Sequence, residues 1–255
     1  MAPAAPRASK PQASVWLSGG ARDGRRRKSS QQPVGLDHGK IVRTTVQLLD
    51  ANGLQNFSMR RLAAELGVTP MSVYWYVDNK DDLLEYALDE VFAEIPLQAA
   101  ETGGDWRDAV REFATSYRRT LATHPWASRL MGEYANVGPK SVAFSTAAHR
   151  VMRRSGLAPE HIPGALAAVY QFVYGYGTVE GRWTELCRST GTSEDDLFRE
   201  MAGAVRDRPE YGELGPIIDQ RMEGPVAQYR ERDFGFALEC VIAGIEAMRG
   251  RAPHA

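Results

Sequence analysis

The sequence is short of most things that would announce a chemistry. It has two cysteines, Cys187 and Cys240, far apart and without CxxC spacing. That excludes a disulfide framework or zinc module, and a reducing, cytoplasmic setting is expected. The first 30 residues contain no apolar segment of the kind a secretory leader needs. GxSxG, Walker, GxGxxG and HExxH spacings are missing and no Cys–His pair is evident, so an enzyme in the C-terminal half is not expected. His124 and His149 lack a second histidine at HxxH or HxxxH spacing, so neither a metal nor another cofactor is expected. No stretch alternates apolar and polar residues as a strand does, and no repeat occurs. Long apolar runs are almost missing too. Ile162 to Val179 carries no charge for 18 positions, about the lower limit for a membrane span. Pro163, Gln171, three tyrosines and three glycines within it favour a buried helix instead.

Charge is present but uneven. Up to Gly35 there are seven Lys/Arg and one acid, leaving 24 basic and 31 acidic residues beyond, so a +6 tail precedes a −7 body. Residues 1–35 are rich in Ala, Pro, Ser, Gly and Arg, and are expected to be disordered. The run Arg25-Arg26-Arg27-Lys28 is either a DNA-gripping arm or a solvated leader.

Beyond the tail, apolar residues recur at helical spacing. Asp37 is a candidate N-cap for Ile41, Val42, Thr45, Leu48 and Leu49, with Gly53 just past the end. Ser58 can cap a second helix carrying Leu62, Ala63 and Leu66. Thr69 can cap a short third helix with Pro70 at its first position. Asp78 or Asn79 caps a fourth, through Leu83, Leu84, Leu88 and Phe92 to Ile95. Asp105 opens a stripe of Val110, Phe113, Ala114, Tyr117 and Leu121, which "HPW" at 124–126 interrupts. Helices are expected over about 139–155, 159–187 and 231–249, with residues 188–220 mostly loop plus one or two short helices. The predicted fold is all-α: a tail over 1–35, a small helical head over 36–95, and a larger helical domain over 96–255.

Helix, tight glycine turn and second short helix form the helix-turn-helix plan, whose second helix enters the major groove. In "MSVYWYVDNK", three consecutive aromatics cannot all face one core, because successive helix positions diverge by about 100°. Val73 is expected inward against Leu62 and Leu66. Tyr74 and Tyr76 are expected outward, toward phosphate, sugar or a thymine methyl. Trp75 is assigned to the packing between helices. Lys80, on the first turn of the next helix, suits a phosphate together with that helix's free N–H groups.

The stretch "GLQNFSMRRLAAELGVTPMSVYWYVDNKDDLLEYAL" resembles the N-terminal domain of the TetR family of transcriptional repressors. Gly53, Ser58, Met59, Arg60, Leu62, Ala63, Leu66, Gly67, Val68, Tyr74, Asn79, Lys80 and Leu83 occupy family places. "VYWYV" followed by "NK" is similar to the tetracycline-repressor branch. "HPW", Gly138-Pro139 and "FGFALECVIAGIEAM" resemble its C-terminal domain. The resemblance implies DNA contacts at Ser58, Arg60, Thr69, Pro70, Met71, Ser72, Tyr74, Tyr76 and Lys80, a palindromic operator, a homodimer, and release by a small molecule. An activator or architectural DNA binder without a ligand is the alternative. Pro70 and Met71 offer no hydrogen bonds to base edges, so Arg60 and Ser72 would supply polar readout.

For the dimer, the spacing of Gly177 and Gly181 beside Gly164 and Ala168 would let helices approach closely, within one chain or between two. The last helix adds an apolar face of Phe234, Leu238, Val241, Ile242, Ile245 and Met248. For the ligand, Phe113, Tyr117, Trp126, Met131, Tyr134, His149, Met152, Tyr170 and Tyr174 are candidates to line a site for a flat, mostly apolar effector.

Overall fold

Side-chain caps set the helix starts. Asp37 accepts from the Lys40 amide at 2.7 Å and opens α1, His38–Asn52. Ser58 accepts from the Arg61 amide and opens α2, Met59–Glu65. Thr69 accepts from the Ser72 amide and opens α3, Pro70–Tyr74, with Pro70 at its start. Asn79, rather than Asp78, accepts from the Asp82 amide and opens α4, Lys80–Val91. Two glycines carry the reversals. Gly53 (φ 72°) ends α1, and Gly67 (φ 68°) makes the turn between α2 and α3, a backbone that a Cβ would strain.

The computed structural model describes residues 14–17, 36–206 and 208–250. Beyond α4 come α5 (Trp106–Thr123), α6 (Pro125–Met131), α7 (Pro139–Arg153), α8 (Ile162–Thr190), α9 (Glu194–Arg206), α10 (Gly215–Met222) and α11 (Val226–Ala247). Asp105 caps α5, and Pro125 starts α6 as a separate helix. Among the described residues there is no strand. None of their helices is long and apolar enough to cross a membrane.

α4 ends at Val91, and a 3₁₀ turn, Phe92–Glu94, completes the stretch expected as one helix. α8 runs three residues past Cys187, and α11 starts five residues before Glu231. Residues 188–220 are more ordered than expected, because Ser193 caps α9 through the Asp196 amide.

One open sequence reading is decided and one expectation changes. Gly177 and Gly181 face α5 of their own chain: a Cβ on Gly177 would lie 2.8 Å from Leu121 Cβ, and one on Gly181 2.9 Å from the Leu121 carbonyl oxygen. They therefore serve the α5–α8 contact rather than a second chain. In the tail, Ser14–Leu17 is placed against α4, whereas disorder was expected throughout. The run Arg25–Lys28 lies outside the described residues.

One apolar core continues from Leu36 through α4 to Ile245. α4 is the shared member, packed on α1 on one side and on α6 and α7 on the other.

Candidate nucleic-acid interface and effector cavity

The reading helix is held from behind. Val73 is fully buried with Leu62, and Val77 is buried one turn later. That phase turns Met71 (68 % exposed), Tyr74 (42 %) and Trp75 (53 %) to solvent. Trp75, assigned to the packing, is therefore on the outer surface. Tyr76 goes the other way: it is half-buried, and its hydroxyl donates to the Leu36 carbonyl at 2.7 Å. The reason is helical phase, since Tyr76 lies three positions after Val73 and shares its inner edge. That places its hydroxyl on the entry to α1 and corrects the outward orientation.

Arg60, Thr69 and Pro70 are exposed, and Ser58 and Ser72 are half-exposed. The Thr69 and Ser72 hydroxyls are 2.9 Å apart. Lys80 sits at the first position of α4. Its ammonium donates to the Phe57 carbonyl at 3.1 Å and lies 5.5 Å from the Phe57 ring centroid. Lys80 thus ties α4 to the turn before α2 while keeping its charge at the helix N-terminus. Residues 36–87 hold five basic and seven acidic side chains, but Asp82 and Glu85 are buried in α4 and do not face a polyanion.

Behind the head, α4 is fastened to the body at several points. Asp89 accepts from the Ser141 amide and hydroxyl and from the Lys140 amide, so it caps α7 from another helix. Lys140 pairs with Glu90. Tyr134 donates to Asp81 at 3.3 Å. A second joint lies at the end of α1. Asp50 takes His124 Nδ1 and the Trp126 indole N–H, each at 2.7 Å, while His124 Nε2 is 3.0 Å from Glu94. Burial alone would lower the His124 pKa; hydrogen bonds and attraction from Asp50 and then Glu94 outweigh it and hold the imidazole above its ordinary value. With carboxylates on both nitrogens, the doubly protonated ring satisfies both contacts.

A cavity of about 390 Å³ lies next to α4. Four of the candidate residues, Tyr117, Met131, Tyr170 and Tyr174, line it together with Phe92, Phe144 and Ser141. A smaller void of about 30 Å³ shares Tyr117, Phe144 and Tyr170, and Phe113 and Met152 line it. Three expected residues line neither. Trp126 is buried toward Asp50, Tyr134 is turned to Asp81, and His149 is on the exposed side of α7. Phe144 was missed, although it touches Phe92, Phe113, Tyr117 and Tyr170 with centroids 5.5–6.0 Å away. Its place on the α7 stripe with Ala147, Ala148 and Val151 was the available signal.

The Tyr170 hydroxyl is buried in the cavity wall and has no hydrogen-bond partner among the described residues. Burial pushes its pKa up to about 12, and the Ser145 side chain, close by but outside hydrogen-bonding geometry, opposes this. Burial, and then the neighbouring Tyr170 and Tyr174, likewise raise Tyr117. Tyr170 and Tyr117 are therefore neutral at physiological pH. Tyr174 spends its proton on the Ser128 carbonyl at 2.8 Å. Among the described residues no group of three or more His, Cys, Asp or Glu is arranged to hold a metal ion.

A capped three-helix head joined through α4 to a cavity-bearing body is an arrangement shared with known proteins. Residues 41–87 match the model of the bacterial regulatory proteins of the tetR family, and residues 98–249 that of the tetracyclin repressor-like C-terminal domain. The chain belongs to the TetR family. It is 38% identical over 157 residues to an HTH-type transcriptional regulator of Saccharopolyspora erythraea, covering 62% of this chain and 66% of that one. It is 28% identical over 228 residues to the HTH-type transcriptional repressor DrrR1 of Streptomyces coeruleorubidus, covering 88% and 82%. The structure of the TetR family protein ActR of Streptomyces coelicolor in complex with actinorhodin superposes with a TM-score of 0.68 at 27% identity, covering 87% of this chain and all of that one. This TetR-family chain is accordingly a DNA-binding transcriptional regulator with a tetracyclin repressor-like C-terminal domain.

Proposed function

We propose that this regulator is a homodimeric cytoplasmic repressor of a palindromic operator, released by a planar, largely apolar effector that bears a hydrogen-bond acceptor. One observation carries the reading. Ser141 lines the large cavity and also holds Asp89 of α4, while Lys80, at the other end of α4, is bonded to the head. Phe92, just past α4, is a second cavity wall on the same lever. A ligand that displaces Ser141 or Phe92 moves the helix on which the head hangs. Aromatic walls suit a flat ring system, and the Tyr170 hydroxyl offers it a donor. The division at residues 95 and 96 is then functional rather than a break in the core.

In the head, Arg60 and Ser72 read base edges, Thr69, Pro70 and Met71 set the fit of α3 in the groove, and Tyr74 and Lys80 approach the backbone beside Ser58. Trp75 joins this surface; Tyr76 supports it from behind. For dimerisation, α11 exposes Phe236 (74 %) beside Cys240 and Gly244, and α8 exposes Gly164, Ala168, Gly175 and Val179. Two such pairs make a four-helix interface.

The test is operator selection from random DNA followed by titration with a panel of planar aromatic compounds. A compound that raises the melting temperature must also weaken operator binding, and operator must weaken the compound by the same factor. Compounds that stabilise the protein without changing DNA affinity would sink the induction reading and leave an effector-free DNA binder.

A further inference from the structure

The first described residues, Ser14–Leu17, lie on the middle of α4. Ser14 is buried, and its hydroxyl donates to the equally buried Glu85 across 71 positions of sequence. A carboxylate inside a core is costly unless donors meet it, and Ser14 is one that the far end of the chain supplies. Trp16 meets Tyr86 edge to face with centroids 5.0 Å apart, and Tyr86 meets His38 of α1 in the same way at 4.4 Å. Trp16 also borders a crevice between Leu88 and Asp89 of α4 and Ala135, Asn136 and Gly138 ahead of α7. Through Ser14 and Trp16 this short segment therefore touches α4, and through Trp16 it also borders the segment ahead of α7, the two parts whose relative movement the proposed induction requires.

We infer that Ser14–Leu17 is an intramolecular clip that braces α4 against the segment entering α7, so that the head shifts only when the clip yields. Ser14 supplies a buried polar anchor, and Trp16 supplies apolar area and an edge-to-face contact. The brace narrows the positions open to α4 in the ligand-free chain. An effector must then supply differential binding enough to overcome it. The control of the head rests on the reading of α4 as the lever; the brace itself does not.

Hydrogen exchange in the full chain tests the brace without DNA or ligand. Trp16→Ala is expected to speed exchange by roughly tenfold at amides of residues 85–91 and 138–141, as loss of a local contact does. Trp16→Phe should recover most of the protection. Ser14→Ala gives the second reading should Trp16→Ala unfold: faster exchange confined to residues 85–91 upholds the clip, and unchanged exchange there overturns it. Operator affinity tests the control. Trp16→Ala should bind a site selected by the unaltered chain roughly fivefold more weakly, the lower end of typical coupling between sites. Faster exchange with unchanged operator affinity overturns control of the head. Failure of the unaltered chain to select any site would count against the repressor reading alone.

Discussion

Ser141 donates both its amide and its hydroxyl to a single oxygen of Asp89, each at 2.9 Å. One residue thereby touches the cavity and the lever. Asp89→Ala leaves the Lys140 amide and both Ser141 donors without this acceptor in a buried place. A cost of about 1–3 kcal/mol is expected for such groups, read as a lower urea midpoint with an unchanged slope. The same variant should still bind a stabilising effector but transmit less of it to DNA. An unchanged midpoint would show that the joint is energetically idle.

Gly138 is needed for space rather than for backbone freedom. Its φ is −66°, but a Cβ there would lie 2.2 Å from Asp89 Oδ1. Gly138→Ala must push α4 and α7 apart, at roughly the 1–3 kcal/mol of overpacking. Gly132→Ala, whose Cβ would meet nothing closer than 3.6 Å, is the control and should be nearly neutral. Thermal melts of the two variants, equally displaced, would contradict this account.

The His124 joint should make stability depend on pH. The folded pKa lies above the ordinary 6.5, so the protonated form is favoured by folding. Its contribution is complete below about 6.5 and is lost as pH rises through the raised folded value. Urea midpoints should fall over that window, and His124→Gln should flatten the fall. A chain that instead becomes more stable there, with His124→Gln showing the same rise, would mean that another group governs this range.

Tyr74 and Tyr76 should separate in mutagenesis although both are tyrosines on the reading segment. Tyr76→Phe removes the bond to the Leu36 carbonyl and should cost about 1 kcal/mol of stability, with DNA affinity nearly kept. Tyr74→Ala and Trp75→Ala should leave stability nearly unchanged and weaken all sites alike. Arg60→Ala should relax preference at one base pair by about 1–3 kcal/mol. Binding selection with each variant distinguishes these outcomes, and a uniform loss for Arg60→Ala would remove it from the base readers.

Tyr170 tests the cavity. Its hydroxyl is buried without a partner among the described residues, so Tyr170→Phe should keep or raise the stability of the free protein, by up to about 1 kcal/mol. The same change should weaken an effector that accepts that hydrogen bond. Calorimetric titration showing unchanged effector affinity would place the acceptor elsewhere.

Sequence by itself determined the local structure. Asp37, Ser58 and Thr69 cap the helices they were expected to cap, because a cap is settled within one turn of its own chain. The helix-turn-helix and the family were legible for the same reason: their signals lie within about fifty consecutive residues. Tertiary structure decided which way ambiguous residues turn. Tyr76 went inward and Trp75 outward once Val73 and Val77 fixed the phase. Gly177 and Gly181 met α5 of their own chain, a choice that their spacing left open. Trp126, Tyr134 and His149 left the cavity lining, and Phe144 entered it. Above all, the contacts that fasten α4 and the segments flanking it join residues far apart: Ser14 to Glu85, Asp89 to Ser141, and His124 to Asp50 and Glu94. A hydrogen bond between distant positions leaves no periodicity in either segment, so only the packing of helices against one another could reveal it.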